Sequence, residues 1–174
     1  MVPEIRPLRL DEAPLIGEVA RRMRRTLQHV LGDEVGAGMY SHAWLADRVR
    51  FHLDPARSEG RVLVAMAPGA GQDLGSALMG HTIVRVEDSG SGESHGLFST
   101  TWVEPVHRRQ GVAEALLDAG EAWLMLRGQT RFLTDTATDN LPLQRLFQAR
   151  GYCILRHSDD GEMVRLERLL ELDL

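Results

Sequence analysis

Two stretches of the chain combine residue types and spacings that can do chemistry. The first covers 103–117, V-E-P-V-H-R-R-Q-G-V-A-E-A-L-L. A strand ends there, Pro105 turns the chain, and Arg108, Arg109 and Gly111 open a helix. The first turn of a helix leaves backbone N–H groups unpaired and carries partial positive charge. Gly111 lets backbone approach a ligand closely, and the two arginines add full charges. This combination is a phosphate cradle built from backbone donors. Alone, the pattern suits a plain strand-to-helix turn with solvated arginines equally well. The second stretch, 139–152, reads D-N-L-P-L-Q-R-L-F-Q-A-R-G-Y. Asn140 opens a helix, Phe147 follows seven residues on, and Gly151 and Tyr152 close it. An Asn at a helix start is more often a cap than a ligand contact. The two stretches in this order and separation are the specific signal.

The elements that must position these stretches follow from hydrophobic period. Residues 3–10 read as a short strand, at an edge because of its prolines. Asp11 looks like a helix cap, and Leu15, Ile16, Val19, Met23, Leu27, Val30 and Leu31 share one helical stripe. Gly32 stops that helix, and 32–38, G-D-E-V-G-A-G, reads as a flexible connection. A second helix is expected over 40–53. Strands over 61–67, 76–87 and 97–103 form an antiparallel meander, with a turn at 68–75 and a loop at 88–96. A helix then covers 111–126, with Val112, Ala115, Leu116, Ala119, Trp123 and Leu126 inward. A strand at 131–136, a helix at 140–150 and two strands at 152–156 and 163–169 complete the chain. The fold class is α+β, a mixed central sheet with helices on its faces, in one domain over 1–174.

Composition bounds the function. The 174 residues are 43% hydrophobic and 26% charged, enough for a core without disulfides or metal staples. The longest apolar run, 62–67, is strand-sized, so no membrane partner is expected. The first residues show no secretion signal. A lone cysteine, Cys153, cannot bridge internally, which points to a reducing compartment and a cytoplasmic location. The net charge of −5 argues against a nucleic-acid partner. All 20 basic residues are arginine. The seven histidines show no metal-ligand spacing, so no metal is expected. The run Arg21, Arg22, Arg24, Arg25 reads as a solvated helix face, Glu104 as solvated too, and G-A-G-Q-D-L-G at 69–75 joins two strands rather than opening a helix.

With those residues in view, the chain resembles the general-control-type N-acetyltransferase (GNAT) superfamily. Arg108, Gly111 and Ala113 match its acyl-CoA signature, and Asn140, Phe147, Gly151 and Tyr152 sit where its second motif has Asn, Tyr, Gly and an aromatic. The opening I-R-P-L-R-L-D-E-A is similar to the family's first strand and helix start. The resemblance implies that the fourth strand diverges from the fifth to leave a V-shaped notch. The pantetheine arm of acetyl-CoA would lie along Thr101, Trp102 and Val103. Its pyrophosphate would sit on Arg108, Arg109, Gln110, Gly111, Val112, Ala113 and Glu114. Asn140 and Phe147 would meet the cofactor near its thioester end. The implied reaction is acetyl transfer to a primary amine of a small molecule or a peptide N-terminus, by direct attack in a ternary complex.

The chain also departs from the family. Phe147 stands where many members have a tyrosine that protonates the leaving thiolate; Tyr152 is expected in the core. Asp135, at the end of the fifth strand, is the candidate base, and equally a loop cap or a contact for a cationic substrate. Where other members place a base on the fourth strand, this chain has Leu97 and Ser99, with His81 and His95 in reserve. The acceptor is expected between the first two helices, the loop 88–96 and the ends of strands four and five, with 32–38 and 88–96 as lids. The acidic balance favours a cationic acceptor, polyamine-like or aminoglycoside-like. The alternative is an acyl-CoA-binding module with little catalysis. Monomer and homodimer both remain open.

Overall fold

The structure is a computed structural model that describes residues 2–69, 71 and 73–171. Seven strands form one sheet in the order β1-β2-β3-β4-β5-β7-β6. They are β1 Glu4–Pro7, β2 Gly60–Met66, β3 Leu78–Asp88, β4 Ser94–Val103, β5 Arg131–Ala137, β6 Cys153–His157 and β7 Met163–Leu169. All neighbours pair antiparallel except β4 and β5, which run parallel. The helices are α1 Ala13–Leu31, α2 Asp33–Met39, α3 His42–Leu53, α4 Leu74–Ala77, α5 Val112–Leu126 and α6 Leu141–Ala149.

Alternate residues of β2 sort the layers, as a pleated strand requires. Val62, Val64 and Met66 pack with Leu15, Ile16 and Val19 of α1 and Val49 of α3. Leu63 and Ala65 pack with Val112 and Leu116 of α5 on the other face. Phe147 of α6 joins Leu117, Trp123 and Leu124 of α5 on that second face, over Phe98 and Phe132. The two chemistry-bearing stretches, leading into α5 and α6, therefore share one face of the sheet.

Several elements differ from the sequence reading. The segment 32–38 is largely the helix α2, with Asp33 and Glu34 in its first turn, where carboxylates suit the helix dipole. Its Gly36 is buried against α1, where a Cβ would stand 2.3 Å from the backbone of Gln28. Close packing, not flexibility, explains that glycine. The β3–β4 hairpin is longer than expected, so the loop shrinks to 89–93, closed by Ser89 N–H donating to Glu93 O at 2.8 Å. Residues 74–77 form the short helix α4, capped by Asp73. In the same turn, Ala70 and Gln72 lie outside the described residues. The cap of α1 is Glu12 rather than Asp11; its carboxylate accepts from Arg9 N–H at 2.9 Å and pairs with Arg6 at 2.8 Å. Leu126, expected inward, is 86% exposed in the last turn of α5. No helix of the described residues is long and apolar enough to cross a membrane.

Several titratable groups are built into the interior. Glu121 of α5, 3% exposed, holds Arg150 at 3.0 Å and Arg168, and accepts from the Tyr152 hydroxyl at 3.3 Å. Tyr152 is core, as expected, and burial beside Glu121 drives its pKa upward. His81 is wholly buried with both ring nitrogens unpartnered; burial, then the charge of Arg22, lowers its pKa to about 3. Burial, then Arg48 and Arg85, lowers that of His52 to about 4.

Both histidines are neutral in the fold, whereas an unfolded histidine takes a proton below about pH 6.5. Their contribution is whole above that pH and is lost as pH falls towards 4 for His52 and 3 for His81. Urea melts from pH 7 to 5 should lose about 1.4 kcal/mol per histidine for each pH unit below 6.5. His81→Leu should remove about half of that slope; an unchanged slope would mean that the folded imidazole already takes up the proton. Separately, Glu121→Ala should lower unfolding free energy by about 3 kcal/mol, because it strands Arg168 and the Tyr152 hydroxyl and leaves Arg150 with Asp118 alone. Denaturant titration checks this, and a loss under about 1 kcal/mol would show that water replaces the carboxylate.

Candidate active site

The site begins with one extra residue. Across β3 and β4, Ile83 faces Thr100 but Val84 faces Phe98, so Ser99 is a bulge on β4. A bulge bends its strand and interrupts pairing. On the other side of β4 the parallel pairing with β5 covers only Gly96↔Phe132, Leu97↔Leu133 and Phe98↔Thr134. The Thr134 hydroxyl donates to Phe98 O at 3.1 Å and closes the base of the fork. Beyond it β4 runs on to Val103 and β5 to Ala137 without pairing to each other. The expected notch is present, and its β4 wall is an unpaired strand edge.

A cleft of about 440 Å³ continues from this edge. Thr101, Trp102 and Val103 of β4 form one wall, and Asn140, Leu143 and Leu146 on the α6 side form another. Arg108, Arg109, Val112, Ala113 and Glu114 close one end. There a 3-10 turn, Pro105–His107, leads into the N-terminus of α5. Gly111 is the N-cap in left-handed conformation, φ 82°, with no side chain capping the helix. The first bond of the helix is Ala115 N–H to Gly111 O at 3.0 Å. The preceding N–H groups, of Val112, Ala113 and Glu114, are therefore free of intrahelical partners. Arg109 also takes a positive φ, 60°, which a non-glycine residue adopts only when its surroundings hold it there. Free backbone N–H groups beside two arginines are a geometry that suits an anion.

Not every expected residue meets the cleft. Arg108 does, and although exposed it is anchored: its guanidinium lies 4.7 Å over the ring of Trp102 and its Nε donates to Val103 O at 2.9 Å. Gln110 donates to Val106 O at 3.1 Å and braces the turn instead of lining the cleft. Asn140 does both jobs, lining the cleft and accepting from Leu143 N–H at 3.4 Å as the cap of α6. Phe147 is corrected by the structure: it is fully buried, against Phe98 at 5.7 Å and Tyr152 at 4.9 Å, and does not line the cleft. The inward face of α6 turns it to the core, and Leu143 and Leu146 present the cleft wall. Asp135 is also elsewhere. It lines a separate recess of about 370 Å³ with Arg156, His157 and Arg165. Arg165 grips it through two bonds of 2.7 and 2.8 Å, and the carboxylate holds the arginine's pKa above its usual value.

The reserve histidines are closed off. His81 is buried, and His95 shares Nδ1 with Ser89 at 2.8 Å and stands 3.4 Å from Glu87. Burial, outweighing Glu87, lowers the pKa of His95.

The wall that sequence reasoning missed belongs to α1: Thr26, His29 and Val30 line the cleft. Arg22 and Glu104 hold it there. Arg22 is 7% exposed, pairing with Glu18 at 2.5 Å and with Glu104 at 2.6 Å. Neither Arg22 nor Glu104 is solvated, because the helix and the end of β4 bury them against each other. The spacing of Arg22, Thr26 and His29 along one side of α1 was the available signal.

Residues 27–152 match the Acetyltransferase (GNAT) family. The chain belongs to that family. Solved structures with the same fold include PaiA N-acetyltransferase from Thermoplasma acidophilum in complex with coenzyme A. It shares 16% identity at a TM-score of 0.72, over 97% of this chain and 99% of that one. The NatC complex bound to Gag peptide and CoA matches at 14% identity and a TM-score of 0.71, over 98% of this chain and 100% of that one. The GNAT domain of S. lividans PAT matches at 21% identity and 0.72, over 97% and 90%. No curated protein sequence matches the chain. Among the described residues no group of three or more metal-ligating side chains is positioned to hold an ion.

A Cβ at Gly111 would meet nothing within 4 Å, so a substitution there acts through backbone conformation alone. Gly111→Val should weaken coenzyme A binding by at least about tenfold, about 1.4 kcal/mol of misdirected N–H donors, with little change in melting temperature. Calorimetric titration reads this. Unchanged affinity would remove the nest from the binding site.

Proposed function

We propose that the chain is an N-acetyltransferase. It moves the acetyl group of acetyl-CoA to a primary amine of a small molecule or a peptide N-terminus, by direct attack in a ternary complex. One observation carries this reading: an unpaired strand edge on β4 ends at a helix N-terminus whose N–H groups have no partner. A diphosphate suits those donors together with Arg109. An arm containing amides suits the free edge from Ser99 to Val103, as an added strand would. The family relatives that hold coenzyme A share this fold.

The residues present account for most of what the reaction needs. The forked strands hold thioester and amine in line, and such positioning is worth about 7–11 kcal/mol. The oxyanion forms beside the exposed edge of β4, whose N–H groups are the available donors. The thiolate leaves without a tyrosine: Phe147 has no hydroxyl and Tyr152 is spent on Glu121. A thiol with pKa near about 8.5 is a fair leaving group unaided. Asp135, already held by Arg165, suits orienting a charged acceptor better than taking its proton. The lone Cys153 is exposed, which suits a reducing, cytoplasmic setting.

A second reading, an acyl-CoA-binding module with little turnover, is favoured by the place of Phe147 in the core. Thiol release from acetyl-CoA, measured against amino acids, dipeptides, polyamines and aminoglycosides, separates the two. At least one amine should raise release by about a hundredfold or more over water, as acid–base assistance alone supplies. Tight acetyl-CoA binding with no release for any amine would establish the module instead.

A further inference from the structure

The two faces of the sheet are finished differently beyond β3. Ile83 packs with α1 and α3, and Val84 with α5. Alternate residues of a strand share a face, as do residues directly opposed across a ladder. By register the Ile83 face therefore carries Arg85, Leu97, Leu133, Asp135, Arg165 and Arg156. The last three stand on the neighbouring strands β5, β7 and β6, and all line the recess of about 370 Å³. That recess begins at the fork. Thr134 is the last residue of β5 paired to β4. Asp135 follows it, one Cα step of about 3.8 Å away, so its carboxylate leaves β5 where the notch opens.

The charges of the recess are unevenly matched. Arg156 and Arg165 are opposed across the β6–β7 ladder, and like charges so placed destabilise a sheet. Asp135 offsets Arg165 through two bonds of 2.7 and 2.8 Å. Among the described residues Arg156 has no carboxylate partner, and it is exposed. Its planar guanidinium presents donors in the geometry that matches a carboxylate. Asp135 keeps room for another donor, because a carboxylate offers about four lone-pair sites and Arg165 takes only part of them. The lining also includes His157 and, in the β6–β7 turn, Asp159.

We propose that the acceptor is an amino acid, its ammonium resting on Asp135 beside the notch and its carboxylate on Arg156. This names the substrate class of the acyl-transfer reading above and rests on it. Asp135 and Arg156 stand two strand spacings apart, about 10 Å. After a charge-assisted hydrogen bond of about 2.8 Å at either end, about 4 Å remains between the two charges of the ligand. That is the scale of one amino acid. Polyamines and aminoglycosides carry no anion for Arg156, and a peptide N-terminus has an amide in its place. The local arrangement, not the net charge of −5, decides the class. In the reaction the ammonium gives one proton to water, its nitrogen bonds to the acyl carbon and the C–S bond breaks. The second proton passes from the nascent amide nitrogen to the sulfur. The products are an N-acetyl amino acid and free thiol.

The test compares the common amino acids with their carboxamides, and with spermidine, as acceptors for the full chain. A carboxamide keeps the amine and the side chain and loses only the anion. The best amino acid should exceed its carboxamide by at least about tenfold in kcat/KM. Arg156→Gln should bring that ratio within about twofold, through KM, with coenzyme A affinity unchanged. Arg156→Lys should restore part of the preference. A carboxamide or spermidine used as well as the best amino acid would overturn the assignment. So would a ratio untouched by Arg156→Gln. A chain that transfers to no amine would overturn the acyl-transfer reading. Calorimetric titration of the coenzyme A-loaded chain with the same amino acids then decides the recess alone: binding that Arg156→Gln abolishes supports it, and no binding overturns it.

Discussion

The site depends on the fact that β4 cannot stay paired to both neighbours after Ser99 is inserted. On the β3 side the ladder resumes beyond the bulge, from Thr100 to Val103. On the β5 side it stops at Phe98 and Thr134. Backbone groups of a sheet interior must find partners or water. The open stretch of β4 therefore has to face solvent, and the cleft is where it does so. The fork is held firmly at its base. Phe98 lies under α5, close enough to Gly120 that a Cβ there would come within 2.6 Å of its ring. Phe147 covers the other side of Phe98. A tyrosine at 147 in this position would bring a hydroxyl into that apolar contact. The family's usual acid and this core packing are alternatives for the same volume.

The second wall of the cleft is electrostatic in origin. Arg22 could have pointed to water with its neighbours in the run 21–25, but it is buried between Glu18, Glu104 and the carbonyl of Gly75. Buried charges persist only when paired and hydrogen-bonded. Glu104 follows directly on β4, so this pairing sets the distance between α1 and the free strand edge. Arg108, stacked on Trp102 and bonded to Val103 O, ties the turn before α5 to the same edge. The contacts of two arginines, Arg22 and Arg108, thus fix the relative positions of strand, turn and helix around one cleft.

How much of this was legible varied with its physical origin. The notch between the fourth and fifth strands came only with the family resemblance, whereas the α+β order and the strand-to-helix turn at Gly111 could be read, because hydrophobic period and a short motif specify them locally. Asn140 could be placed at the start of α6 for the same reason. The direction of Phe147 could not, since it depends on Phe98 and Tyr152 packing from other elements. Nor could the partner of Asp135: Arg165 lies on β7, and only the sheet register brings them together. The segment 32–38 was misread because glycine signals both flexibility and close approach, and Gly36 against Gln28 is the second case. Arg22 and Glu104 were misread because charge in a sequence reports solvation only until a partner of opposite sign is packed against it.

Magnitudes explain why such a site can lose a family hallmark and keep its chemistry. Holding amine and thioester in line is worth about 7–11 kcal/mol. A general acid or base adds a factor of about 10² to 10⁴, which is about 3–5 kcal/mol. On the proposed reading the first contribution would come from the fork at Ser99, the turn before α5 and the free N–H groups at its start. The acid's share shrinks further for a thiolate, which departs readily without a proton. The base's share does not shrink, because an ammonium at neutral pH is inert until deprotonated. Substitution of tyrosine by Phe147 is therefore the less costly of the two losses. The chemical pressure therefore falls on the proton acceptor.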